Sequence, residues 1–314
     1  MSTTPSAPLC EWDEKYIISQ ESLRATTGVT IFIGVMAVLG NSFVLLAIYK
    51  SANLQKIPMY LLGSLAVVDA AVGMVIVPLY SVASLTWPLL LTNHTFEMFL
   101  DFLALQTLMA SAFSLILVTY DRFKSIIAPM RYSVWVSNAK CFAAIAIVWV
   151  ASFVLAAVSF ALTGYETRPK FYLFVVLVAF VIPFMLIIYM YHRIFKVAAS
   201  QFRRQMNARV ASSAVSVTKS SDSESSRREV LRNKKASVSI AIIIGVFLAC
   251  WLPNLVIGVI HFVQSEIDHC TAELTEQLWL LTLPFAFTNS ALNPIIYCIR
   301  YKDFRIAFKS IFKL

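Results

Sequence analysis

Seven stretches of this chain stay apolar for roughly 20 residues or more, the length a helix needs to cross a bilayer core. They run from about Ala25 to Tyr49, Pro58 to Ser84, Phe96 to Ser125, Ala139 to Leu162, Phe171 to Phe195, Ala236 to Phe262 and Leu278 to Ile299. In hydrocarbon every backbone polar group must find its partner inside the protein, which makes each stretch a helix. The expected fold class is therefore an all-α membrane protein, a seven-transmembrane-helix bundle. Composition agrees: 59% of residues are hydrophobic and 14% charged, against about 45–50% and 25% in soluble domains. Residues 1–24 form a polar, acidic tail without a signal-peptide core, so the first span is expected to act as its own insertion signal.

Charge sets the orientation. Lys50, Lys56, Lys124, Arg131 and Lys140, the basic segment 197–235, and Arg300, Lys302, Arg305, Lys309 and Lys313 all fall on one side. Glu11, Asp13, Glu14, Glu21, Glu266, Asp268, Glu273 and Glu276 fall on the other. The positive-inside rule puts the N-terminus of this multi-pass chain outside, and the expected location is the plasma membrane. The net charge of +9 then belongs to cytoplasmic loops, and no nucleic-acid partner is implied. Asn93-His94-Thr95 is a glycosylation sequon on the outer side. Residues 212–226, rich in Ser, lack periodicity and read as a disordered loop open to phosphorylation. Residues 300–314 place Phe304, Phe308, Ile311 and Phe312 at helical spacing, an amphipathic cytoplasmic helix on the inner membrane leaflet.

Polar residues inside the spans carry the chemistry. Asp69 sits at mid-membrane, where a charge costs about 2.5–3.5 kcal/mol on the lenient insertion scale. Asn41, Ser111, Asn289, Ser290 and Asn293 are candidate oxygens around it, enough to hold one hydrated sodium ion; a protonated Asp69 bridging helices is the alternative. Asp121-Arg122 ends the third span, and the two side chains are expected to pair. Phe247 and Trp251 stand one turn apart before Pro253, a helix break with a bulky lever. Pro294 breaks the seventh span, and Asn289, Ser290 and Asn293 are expected to satisfy the carbonyl it frees, with Tyr297 one turn on. Cys141, Cys250 and Cys298 fall in apolar runs and read as buried thiols.

With Gly40-Asn41, Leu65-Ala66-x-x-Asp69, Asp121-Arg122-Phe123, Trp149, Pro183 with Tyr191, Cys250-Trp251-Leu252-Pro253 and Asn293-Pro294-Ile295-Ile296-Tyr297 in order, the chain resembles the rhodopsin-like (class A) G-protein-coupled receptors over all seven spans. The resemblance implies an extracellular ligand, a heterotrimeric G protein, and rearrangement of Arg122, Tyr191 and Tyr297 to open an inner cleft. It implies an apolar G-protein contact at Pro129 and Met130, and receptor kinase and arrestin as partners of loop 212–226. A transporter or channel using Asp69 is the rival reading; the absence of internal repeats argues against it. An enzyme would need a nucleophile and base or spaced metal ligands, and the four histidines form no such set.

Departures narrow the subgroup. Glu97 replaces the usual cysteine of the third helix, Ala104 stands where amine receptors carry an aspartate, and Phe287 where opsins carry a lysine. Asn233 replaces the acid that would pair with Arg122. The pattern is similar to the melanocortin, lipid, cannabinoid and adenosine receptor cluster. Glu97 and Asp101 match melanocortin acids that hold calcium and a basic peptide, but Leu79 replaces the third acid, and Gly258 replaces the adenosine-binding asparagine. The expected pocket comprises Glu97, Asp101, Ala104, Leu105, Leu108, Val175, Trp251, Asn254, Leu255 and Leu283. It suits a ligand with a hydrophobic body and, where the acids take part, a positive end. Cys10 and Cys270 both fall outside and are expected to form a bridge; two free thiols or an intermolecular link are the alternatives.

Overall fold

The computed structural model describes residues 19–86, 94–161, 174–213, 221–264 and 269–312. The first helix, Gln20–Lys50, opens on Ser19, whose hydroxyl accepts from the Ser22 amide at 3.2 Å. The second, Ile57–Leu85, contains a wide turn at Val72–Ile76. The third is His94–Ile127, the fourth Asn138–Ala161. The fifth occupies 174–213 with a second wide turn at Leu177–Val181, the sixth is Ser221–Gln264 and the seventh His269–Arg300. A short loop helix, Pro129–Trp135, joins the third to the fourth, with proline at its first position, where a missing N–H costs nothing. The terminal helix is Lys302–Phe312.

Among the described residues six helices are long and apolar enough to span a membrane by composition. The seventh falls short because Thr288, Asn289, Ser290, Asn293, Pro284 and Pro294 dilute it. It packs chiefly between the first and sixth helices. On the fourth helix Phe142, Ile147, Val150, Phe153 and Val154 are exposed, an apolar face that only lipid would cover without cost. This is the helical bundle of a multi-pass membrane protein.

Both wide turns end two residues before a proline. The Val77 amide reaches back to the Val72 carbonyl, and the Ile182 amide to that of Leu177, ahead of Pro78 and Pro183. A proline ring clashes with the carbonyl four residues earlier, and one extra residue in the turn moves that carbonyl aside.

Two expectations change here. Ser212, Ser213 and residues 221–226 lie in helix rather than in an unstructured loop; residues 214–220 are outside the described set. The segment Lys196 to Ala211 is rich in Ala, Arg and Gln, good helix formers, and a span already formed extends without a new nucleus. Cys141 and Cys250 are buried thiols, but Cys298 is only half-buried, because it lies on the last turn of the seventh helix.

Glycines set the approach of the first two helices. A Cβ on Gly73 would lie 2.5 Å from the Gly34 carbonyl oxygen, and one on Gly34 would lie 2.6 Å from Val77 Cγ1. Gly73→Ala is expected to cost roughly 1–3 kcal/mol, because backbone must move. Gly245→Ala meets nothing within 4 Å and should gain about 0.5–1 kcal/mol. Thermal unfolding in one detergent distinguishes the two signs.

Candidate functional site

Pro294 has no N–H, so the Ser290 carbonyl loses its helical donor. The donor comes from another helix: Asn41 Nδ2 gives a 2.9 Å bond to that carbonyl and a second, also 2.9 Å, to Ala37 O. Gly40, the residue before, leaves room for the proline ring, since a Cβ there would lie 2.9 Å from Pro294 Cγ. The expected satisfaction by Asn289, Ser290 and Asn293 is thereby corrected. Side chains of the same turn are aimed across the bundle instead. Asn293 Nδ2 donates to Asp69 Oδ2 at 2.7 Å, and the Ser290 side chain adjoins the same carboxyl.

Asp69 and Asn41 are wholly buried. Asp69 Oδ1 and the amide oxygens of Asn41, Asn289 and Asn293 find no donor among the described residues. Acceptors that outnumber donors in a dry interior suit a small hard cation or water. Ser111 is buried on the third helix without a direct bond to Asp69.

At the Arg122 end, the Asp121 carboxylate is held by two residues. Arg122 Nε donates to Oδ2 at 2.9 Å and its Nη2 bonds the same oxygen. Tyr132 of the loop helix donates to Oδ1 at 2.6 Å. Burial, then this bond and the Asp121 charge, raise the Tyr132 phenol well above its usual range, so it stays a donor at every physiological pH. Tyr191 and Tyr297 are both buried. The Tyr297 hydroxyl has no hydrogen-bond partner among the described residues, and its ring stacks on Phe304 of the terminal helix at 5.8 Å. Arg305 Nη1 caps the seventh helix at Ile299 O, 2.6 Å, and Arg300 Nε donates to Ser239 Oγ of the sixth at 3.1 Å. Pro129 and Met130 are exposed on the loop helix.

The aromatic residues before Pro253 pack against one another on the sixth helix. Phe247 and Trp251 rings lie 6.1 Å apart, and Phe180 stands 6.0 Å from each. The expected pocket residues divide into two packing groups. Leu105, Leu108, Val175, Trp251 and Leu255 belong to the large central core, whereas Ala104 and Leu283 pack with Tyr80, Leu100 and Phe287. Asn254 is engaged on both faces of its amide: Nδ2 to Thr282 Oγ1 at 3.1 Å, and Oδ1 from Trp279 Nε1 at 3.1 Å. It is a clasp between the sixth and seventh helices.

Tyr132, Trp279 and the Arg300–Ser239 bond were not foreseen. Tyr132 lies eleven residues beyond its partner, and only the fold of the loop helix brings it back. Glu97 shares a helix with Asp101, but its side chain, like Asn233 and Cys270, is outside the described set, as are Cys10 and Asn93 entirely. Among the described residues no three His, Cys, Asp or Glu side chains gather.

Residues 40–297 match the family model described as 7 transmembrane receptor (rhodopsin family). The chain is 30% identical to adenosine receptor A2a of Canis lupus familiaris, over 91% of this chain and 71% of that protein. The human adenosine receptor A2a is 28% identical over the same shares. The histamine H2 receptor of Rattus norvegicus is 26% identical, over 93% of this chain and 80% of its own length.

Asn254→Leu should strand the Trp279 indole N–H. The expected loss is about 1–3 kcal/mol, the desolvation cost of an unmet buried donor. A thermal midpoint unchanged from the parent would show that the clasp contributes nothing.

Proposed function

The chain belongs to the rhodopsin family of seven-transmembrane receptors, and from that premise we propose how its side chains carry a signal. It is a multi-pass membrane protein and a G-protein-coupled receptor, taking an extracellular ligand and a heterotrimeric G protein. In our reading it has no catalytic step of its own, and its N-terminus faces outward at the plasma membrane.

The observation that carries the reading is the Asp121–Arg122–Tyr132 group. Its bonds hold Arg122 along the end of its own helix. Ligand binding bends the sixth helix at Pro253 through Trp251, Arg122 leaves Asp121, and Tyr191 and Tyr297 turn toward the cleft that opens. The G protein then meets Pro129 and Met130. Receptor kinase and arrestin act at 212–226, and the terminal helix rests on membrane lipid.

Sodium fits the oxygens around Asp69, which have no donor of their own. It would neutralise the carboxylate and hold the second and seventh helices in the resting arrangement. For the ligand, the relatives' names point to adenosine and histamine. With Ala104 in place of the amine-binding aspartate, and Asn254 engaged by the seventh helix, we favour an apolar body whose cationic end reaches Asp101 and Glu97; calcium is a second occupant of that pair. Asn93 carries glycan and Cys10 bonds Cys270 in the same reading.

Arg122→Ala is expected to reach the cell surface and to lose G-protein activation; normal nucleotide exchange from that variant would refute the switch. Sodium at about 100 times its Kd should stabilise the parent by roughly 2.7 kcal/mol. Asp69→Asn should abolish the dependence, as read by the thermal midpoint with and without sodium. A parent midpoint indifferent to sodium rejects the ion site.

A further inference from the structure

A cavity of about 220 Å³ opens beside the Asp121 group. The second helix lines it with Ile57 and Leu61, the third with Leu117, Tyr120 and Lys124, the loop helix with Arg131 and Trp135, and the fourth with Lys140 and Ala144. Its walls are aliphatic and aromatic, yet three cations converge on it. Lys124 Nζ lies 5.3 Å from the centres of both the Tyr120 and Trp135 rings, and Lys140 Nζ donates to the Trp135 carbonyl at 3.0 Å. None of the three is ion-paired with an acid among the described residues. The one acid in the lining, Asp121, is already held by Arg122 and Tyr132.

Cations above an apolar chamber are complementary to an anion on a hydrocarbon body. Tyr120 and Trp135 are large, half-exposed aromatics at this rim, as interfacial residues at headgroup depth are. We infer that this cavity binds the phosphate-bearing headgroup and upper chains of an anionic phospholipid from the cytoplasmic leaflet. The inference rests on the orientation proposed above, with the Arg122 end inside. Lys124, Arg131 and Lys140 hold the phosphate, and Ile57, Leu61 and Ala144 cover the glycerol and first methylenes. The lipid so held braces the loop helix, and with it the Tyr132 hydroxyl on Asp121.

The test uses the full chain in phosphatidylcholine nanodiscs doped with a diazirine-labelled phosphatidylinositol phosphate. Cross-links should concentrate on peptides spanning 57–61 and 117–144. Each of Lys124→Gln, Arg131→Gln and Lys140→Gln should reduce labelling there about fivefold, the equivalent of roughly 1 kcal/mol per cation at an anionic surface. Ala144→Phe fills the chamber without touching charge, and should exclude the lipid while the cations remain. Labelling spread over the terminal-helix lysines instead, or unmoved by all four substitutions, overturns the site. Soluble inositol phosphate that displaces the probe at equal concentration overturns the lipid assignment. Because the labelling is read without ligand or G protein, failure of the signalling scheme leaves it interpretable; labelling from the outer leaflet alone would instead refute the orientation.

Discussion

The carbonyl of Ser290 must be hydrogen-bonded, and Pro294 forbids its own helix from supplying the donor. Asn41 supplies it from the first helix at 2.9 Å, and much of the bundle follows from that bond. The first helix must come close, so Gly40 carries no side chain against the proline ring. The seventh helix is fixed in rotation, so Asn293 points at Asp69 rather than at the broken turn. The second helix is drawn in by its carboxyl and lies close against the first where Gly34 meets Gly73. A single missing N–H thus sets the mutual placement of three helices. In hydrocarbon there is no water to take the carbonyl in its place.

A second set of polar clasps holds the rest. Trp149 Nε1 reaches Ser64 Oγ at 3.1 Å and ties the fourth helix to the second. Gln106 reaches Ser152 and ties the third to the fourth. Asn254 joins the sixth to Trp279 and Thr282, and Arg300 joins the seventh back to Ser239. Lipid offers no hydrophobic drive between helices, so these bonds and close packing decide which faces meet. At the Arg122 end the bonds of Asp121 are local, to the neighbouring Arg122 and to Tyr132 of the loop helix.

The spans were legible because a 20-residue apolar run admits one backbone solution. The family was legible because Asp69, Asp121-Arg122, Trp251-x-Pro253 and Asn293-Pro294 keep order and spacing along the chain. Partners across helices were less so. Asn41 for Ser290, and Tyr132 for Asp121, depend on helix rotation and on a loop that folds back, and neither leaves a periodic trace. The wide turns before Pro78 and Pro183 are likewise a response to a clash whose resolution a propensity does not specify. Asn254 was read as the polar lining of a pocket because its partners, Trp279 and Thr282, lie on another helix.

The terminal helix is joined to the core by rings. Phe304 is buried against Tyr297, and Phe308 sits 5.4 Å from Phe43 of the first helix. In the proposed arrangement its remaining face rests on the bilayer surface. Coupling free energy is reciprocal, so the linkage runs in both directions. With Tyr297 stacked on Phe304, a turn of the tyrosine on activation, as proposed, would shift how deeply this helix rides. In the proposed arrangement lateral tension, leaflet thickness and curvature would do work on the tyrosine in return, and the bilayer would enter the receptor's equilibrium as an effector with mechanical rather than chemical identity.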